Sequence, residues 1–143
     1  MEQQFITKTY FIKRLGDLCL RSGASGFPKD LKDQHILLKS TILLFGEKGS
    51  YSEQEINQKL EDWVRNISRI KDLDRVTLRR RLVDTGYLIR SADGSKYQVA
   101  QPGPKSEWFD PEIDQLDVAQ VIENAREEIA HRKREYLQKA KGG

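Results

Sequence analysis

The chain has 143 residues, of which 37% are hydrophobic and 33% charged, with 25 basic against 22 acidic side chains and one cysteine. That length fits one domain, or a small domain with helical extensions, and the periodic clustering of its apolar residues excludes disorder of the whole chain. A lone Cys19 excludes an intrachain disulfide and points to a reducing, cytoplasmic setting.

No basic segment followed by an apolar run opens the sequence, and no stretch approaches the ~20 apolar residues of a membrane span. The net charge of +3 is weak support for a polyanionic partner, but its distribution is uneven. Residues 1–50 carry 8 bases and 5 acids, residues 51–100 carry 10 and 8, and residues 101–143 carry 7 and 9.

In chain order, Phe11, Leu15 and Leu18 recur at helical spacing and predict a helix over residues 9–22, broken by Gly23 and Gly26. A second helix, over about 29–45, places Leu31, Leu38, Ile42 and Phe45 on one stripe. Leu37, Thr41 and Leu44 widen that stripe, so the helix is expected to be largely buried. Ser52 and Glu55 form a capping box for a third helix, whose Ile56, Leu60, Trp63, Val64 and Ile67 share a face. Asp74 can cap a fourth helix through Thr85, and Gly86 stands where a left-handed residue ends it. Residues 87–90 and 96–99 read as two strands joined by the Asp93-Gly94 turn. After a linker at 101–109, Asp110 and Pro111 predict the start of a long helix reaching about residue 140.

Three helices followed by a hairpin is the order of a winged helix-turn-helix. The fold expected is therefore mainly α with a small β-hairpin. It divides into an N-terminal helical extension (1–28), a winged-helix domain (29–100), a linker (101–109) and a C-terminal amphipathic helix (110–143). Two stretches strengthen this reading. One runs from Gly49-Ser50-Tyr51-Ser52 through Asn57, with Leu60 after it. The other runs from Leu78-Arg79-Arg80-Arg81 to Arg90 and resumes at Asp93-Gly94-Ser95-Lys96-Tyr97. Over about residues 31–99 the chain resembles a bacterial and archaeal domain family of unknown function, whose members stand alone or follow an ArsR-type helix-turn-helix regulator. The resemblance implies a winged-helix domain associated with regulation and carries over no catalytic residue. Residues 66–72 look like an insertion relative to it.

Candidate contacts cluster on the fourth helix. Val76, Leu78, Leu82 and Val83 define its apolar face, with Arg79 in the middle as a partly buried fork for a carboxylate. Thr77, Arg80, Arg81 and Asp84 fall opposite. There the arginines suit guanine edges in a major groove, and the threonine a phosphate or thymine methyl. Arg75 at the helix start, and Arg90 and Lys96 in the hairpin, are placed to meet sugar-phosphate backbone. An ordinary solvated helix face is the competing reading of the same residues.

On the last helix, Val118, Ile122, Ala125, Ile129 and Tyr136 form a narrow seam. Residues 110–128 hold seven acids and one base, while 129–143 hold five bases and one acid. This polarity suits an antiparallel homodimer, and a helix folded back on its own domain is the alternative. His35 reads as a satisfied core histidine. No zinc spacing, nucleophile–base pattern or phosphate loop is present, so neither an enzyme, a metal nor a cofactor is expected. The expected function is a DNA-binding transcriptional regulator, dimeric and contacting double-stranded DNA through Arg75, Thr77, Arg80, Arg81, Arg90 and Lys96. The alternative is a winged-helix adaptor that binds protein without touching DNA.

Overall fold

Thr7 opens the first helix, α1 (Lys8–Leu20), by accepting the Tyr10 N–H at 3.0 Å. The computed structural model describes residues 5–21, 23, 25–46 and 49–142, so Ser22 and Ala24 of the predicted helix end and loop lie outside the described residues. Asp30 caps α2 (Leu31–Ile42) through the Asp33 N–H, and the helix starts two residues later than its periodicity predicts. Leu31 points outward from the first turn and is 54% exposed, contrary to its expected place on the buried stripe. The rest of α2 is buried from His35 to Leu38 and again at Ser40 and Thr41.

Strand β1 (Tyr51–Ser52) precedes α3 (Glu53–Asp62), whose capping box closes as the sequence predicts, Glu55 N–H to Ser52 Oγ and Ser52 N–H to the Glu55 carboxylate. The chain then widens into one π-helical turn (Trp63–Ile67) that keeps Trp63 and Ile67 buried. The apparent insertion is tied down rather than loose. Arg69 donates its N–H to Cys19 O at 2.8 Å, Gly26 donates to Lys71 O at 2.7 Å, and the Ser25 hydroxyl reaches Asp72. Asp74 caps α4 (Arg75–Thr85), and Gly86, at φ 96°, ends it in the left-handed conformation.

The hairpin expected at 87–99 forms as β2 (Leu88–Arg90) and β3 (Lys96–Val99), with Arg90 opposite Tyr97. It is not alone. β1 pairs with β3 through Tyr51 opposite Tyr97, giving a three-stranded antiparallel sheet in the order β1–β3–β2. The extra strand lets the Tyr51 hydroxyl donate to Phe45 O and fixes the end of α2 against the sheet.

The C-terminal region departs most from expectation. Asp110 caps only a short 3₁₀ helix (Pro111–Gln115), and the chain re-extends at Leu116. The long helix α5 (Val118–Gly142) begins afresh, with Asp117 accepting the Gln120 N–H. Its first turns fold back on the body: Val118, Val121 and Ile122 are buried in the same core as Phe11, Leu15 and Cys19 of α1 and Leu78 and Leu82 of α4. The linker also joins this core. Ile6 pairs with Phe109 in a parallel bridge, and the Phe109 ring meets Phe11 edge-on at 6.2 Å. No helix among the described residues is long and apolar enough to cross a membrane.

α1 and α5 cross at Gly16, where a Cβ would lie 3.3 Å from the Ala125 methyl. A glycine in mid-helix costs about 1 kcal/mol relative to alanine, and close approach of α5 is what it permits here. Gly16→Leu should therefore lower stability by about 1–3 kcal/mol through overpacking, despite leucine's better helix propensity. A denaturant midpoint equal to the parent's would show that the crossing tolerates bulk.

His35 is buried between α2 and the start of the hairpin, with its Nδ1 2.7 Å from the Tyr87 hydroxyl and the Trp108 ring edge-on at 5.4 Å. Burial, and secondarily the charge of Lys105, hold its pKa below the usual histidine value. The neutral ring shares a hydrogen bond with the Tyr87 hydroxyl, whose own pKa is pushed up by burial. The folded state thus takes up the proton later than the unfolded chain on acidification. Stability is complete above about pH 6.5 and falls as pH drops below it toward the folded-state value, by at most about 1.4 kcal/mol per pH unit. His35→Gln should flatten that part of the melting-temperature profile, and a profile of unchanged slope would assign it to other groups.

Candidate nucleic-acid interface

α4 turns two leucines inward. Leu78 and Leu82 are fully buried against α3, which fixes the rotation of the helix and sends Arg80 directly away from the core. Val76, assigned to the apolar face by its spacing, lies near Arg80 on the outer side and is 47% exposed. With Leu78 and Leu82 fully buried and Val83 only partly so, the buried stripe is narrower than the sequence pattern indicated.

Arg79 is half-buried as expected, but its partner is an amide. Nη1 donates to Asn57 Oδ1 of α3 at 2.7 Å. A guanidinium that keeps some water needs no counter-ion, so an uncharged acceptor suffices here. Arg79→Ala should cost about 1 kcal/mol of stability, and Asn57→Ala in the same background should cost little more. Additive losses in this double-mutant cycle would show that the two side chains act independently.

The structure gathers some of the predicted contact residues and separates others. Arg79, Arg80 and Arg90 line one groove of about 270 Å³ between α4 and the hairpin, together with Val76, Val83, Asp84 and Tyr97. Arg90 faces the same side of the ribbon as its partner Tyr97, so the neighbouring Lys96 points to the opposite face. Arg81 leans away from the groove and stacks its guanidinium on the Phe27 ring at 4.5 Å. Arg75 meets Glu61 at 3.6 Å. Thr77 is turned toward the helix cap: its N–H and then its hydroxyl bind Asp74 and hold that carboxyl below the usual range. The side chains of Arg80 and Lys96 form no hydrogen bond or ion pair among the described residues.

The hairpin tip is ordered by its own acid. Asp93 accepts from the Ser95 N–H and from the Ser91 and Ser95 hydroxyls, which brings its pKa down to about 2. Gly94, at φ 76°, lies under Arg90: a Cβ there would come within 2.5 Å of the guanidinium. Both serines are thereby committed to the turn. Asn57 and Phe27, the partners of two α4 arginines, were not singled out by the sequence because they lie far away along the chain. Among the described residues no group of three or more histidine, cysteine or acidic side chains is placed to hold a metal. Cys19 is buried, which raises its pKa to about 12.

A mainly helical unit with a small antiparallel sheet, carrying an outward arginine on its fourth helix, is the class these features define. The chain belongs to the DUF2087 family, uncharacterised proteins conserved in bacteria, whose model matches residues 25–99. The match spans the α2-to-β3 unit and reaches a few residues further toward the N-terminus than the resemblance over 31–99 indicated. No curated protein and no solved structure matches the chain.

Proposed function

We propose that residues 29–100 form a winged helix that binds double-stranded DNA as part of a transcriptional regulator. In this reading α4 is the recognition helix and β2–β3 the wing. The observation that carries it is the groove shared by Arg80 and Arg90, which joins the outermost cation of the helix to a cation of the hairpin. Arg80 enters the major groove, Arg90 meets the adjacent backbone, and Arg81 and Arg75 join once released from Phe27 and Glu61. Exposed contacts of those two kinds are weak enough to exchange for phosphate. The order α2–β1–α3–α4–β2–β3, with the first strand closing on the last, supports the same reading.

A second reading has its own support. Val76 on α4 and Ile89 on β2, at 47% and 53% exposure, are large apolar side chains left open, and Asp84 lines the groove with the arginines. Those features suit a protein partner, with the unit acting as an adaptor.

A salt-titrated binding assay on random-sequence duplex separates the two. The DNA reading expects log affinity to fall with log salt at a slope of about −2 to −4, for two to four phosphates neutralised. No binding at low salt by a fully folded sample would leave the adaptor.

A further inference from the structure

The face of α5 that lies on the body is formed by Val118, Ile122, Ala125 and Ile129. At 100° per residue the same face continues as Lys133, Tyr136 and Ala140, with Leu137 on its flank. Val118 and Ile122 are buried, whereas every side chain described from residue 130 onward is exposed, Tyr136 at 73% and Leu137 at 57%. The apolar stripe thus leaves the body without a cover. Two hollows meet where it does so. A cleft of about 670 Å³ runs between α1 and α5, with Ile12 and Leu18 in its wall. A shallower one of about 380 Å³ is lined by Ile129, Arg132, Lys133, Tyr136 and Leu137. Ile129 and Arg132 line both.

We propose that a second copy of this chain covers the stripe, the two α5 helices packing antiparallel about a two-fold axis beside residues 132 and 133. Charge selects both the occupant and its direction. The near half of α5 carries exposed Glu123, Glu127 and Glu128, and the far half carries exposed Arg134, Lys139 and Lys141. A parallel pair sets like charges side by side. The antiparallel pair lays each acidic half along a basic one, although Arg132 and Lys133 of the two copies then meet at the axis. The axis places Ile129 of each copy against Tyr136 of the other, so that contact is made twice. Tyr136 then enters the shared mouth of the two hollows. The inference does not depend on DNA binding, and a failed DNA assay leaves it standing.

Sedimentation equilibrium on the full chain should return twice the 16.6 kDa chain mass. A monomer up to about 100 μM, where even a weak pair is populated, would overturn the proposal. Direction is read by cross-linking under mild oxidation, with Cys19 buried out of reach. Ile129→Cys and Tyr136→Cys proteins mixed together should form a disulfide dimer, whereas each alone should not. Cross-linking of either variant with itself alone indicates a parallel pair and refutes the geometry. Y136E/L137E should halve the mass while leaving the far-UV spectrum unchanged, since both side chains are exposed within a single copy. A double variant that stays dimeric would place the contact elsewhere.

Discussion

Replacing Arg80 and Arg90 together by alanine should weaken duplex binding by at least about 30-fold, taking each arginine contact at about 1–3 kcal/mol. Arg80 has no partner among the described residues to lose, so its removal costs the fold almost nothing. Arg90 covers the turn glycine but is exposed, and surface changes of this kind stay within about 0.5 kcal/mol. Affinity and stability should therefore separate cleanly in the double variant. The salt slope should become shallower by about one phosphate contact, that of Arg90. Arg81→Ala serves as an internal comparison: its guanidinium must first leave Phe27, so its loss should weaken binding less than that of Arg80. A double variant that binds as tightly as the parent would move the DNA interface away from the groove between α4 and the hairpin.

Trp63→Ala should be the most damaging single change, costing about 3–5 kcal/mol, a large share of the 5–15 kcal/mol typical of a domain. Trp63 is fully buried where α3 widens into its π turn. Its indole N–H donates to Ser40 Oγ at 2.9 Å, and the Ser40 hydroxyl in turn donates to Leu37 O. The side chain therefore joins α3 to α2 by both packing and a directed polar chain. Trp63→Phe separates the two contributions. It keeps most of the apolar volume and removes one donor, while Ser40 retains its bond to Leu37, so it should cost about 1–2 kcal/mol. Urea denaturation read by circular dichroism measures both variants. A loss below 1 kcal/mol for Trp63→Ala, on the scale expected of a surface change, would mean that the core collapses around the gap at no cost.

These two outcomes test different layers of what was legible in the sequence. The candidate DNA contacts were chosen from charge and helical spacing, and that spacing correctly turned Arg80 outward and Arg79 partly inward. It could not show that Arg81 would find Phe27, or that Lys96 and Arg90 would face opposite sides of the ribbon. Each of those depends on a side chain brought close by folding, or on a strand register that a turn motif alone does not number.

Two helix starts were legible from a cap acting over three residues, Ser52 with Glu55 and Asp74 with Thr77, and Gly86 was legible as the left-handed stop of α4. Those signals are local, because donor and acceptor are neighbours along the chain in any conformation that forms the turn. The burial of Ile56, Leu60, Leu78 and Leu82 was legible for the same reason, as a repeat that matches the pitch of the helix.

The tertiary structure alone decided which strand closes the sheet, which leucine of α2 is left in water, and where the last helix begins. β1 is two residues long and exists only because β3 supplies its partner. Asp110 and Pro111 have the chemistry of a helix start, yet the continuous helix waits for Asp117, where Val118 can enter the core beside Ile122. Local energies of about 1 kcal/mol nominate elements, but burying a side chain is worth about 1.5–3 kcal/mol and depends on partners distant in sequence. Where the two compete, as at Leu31 and Leu116, packing decides.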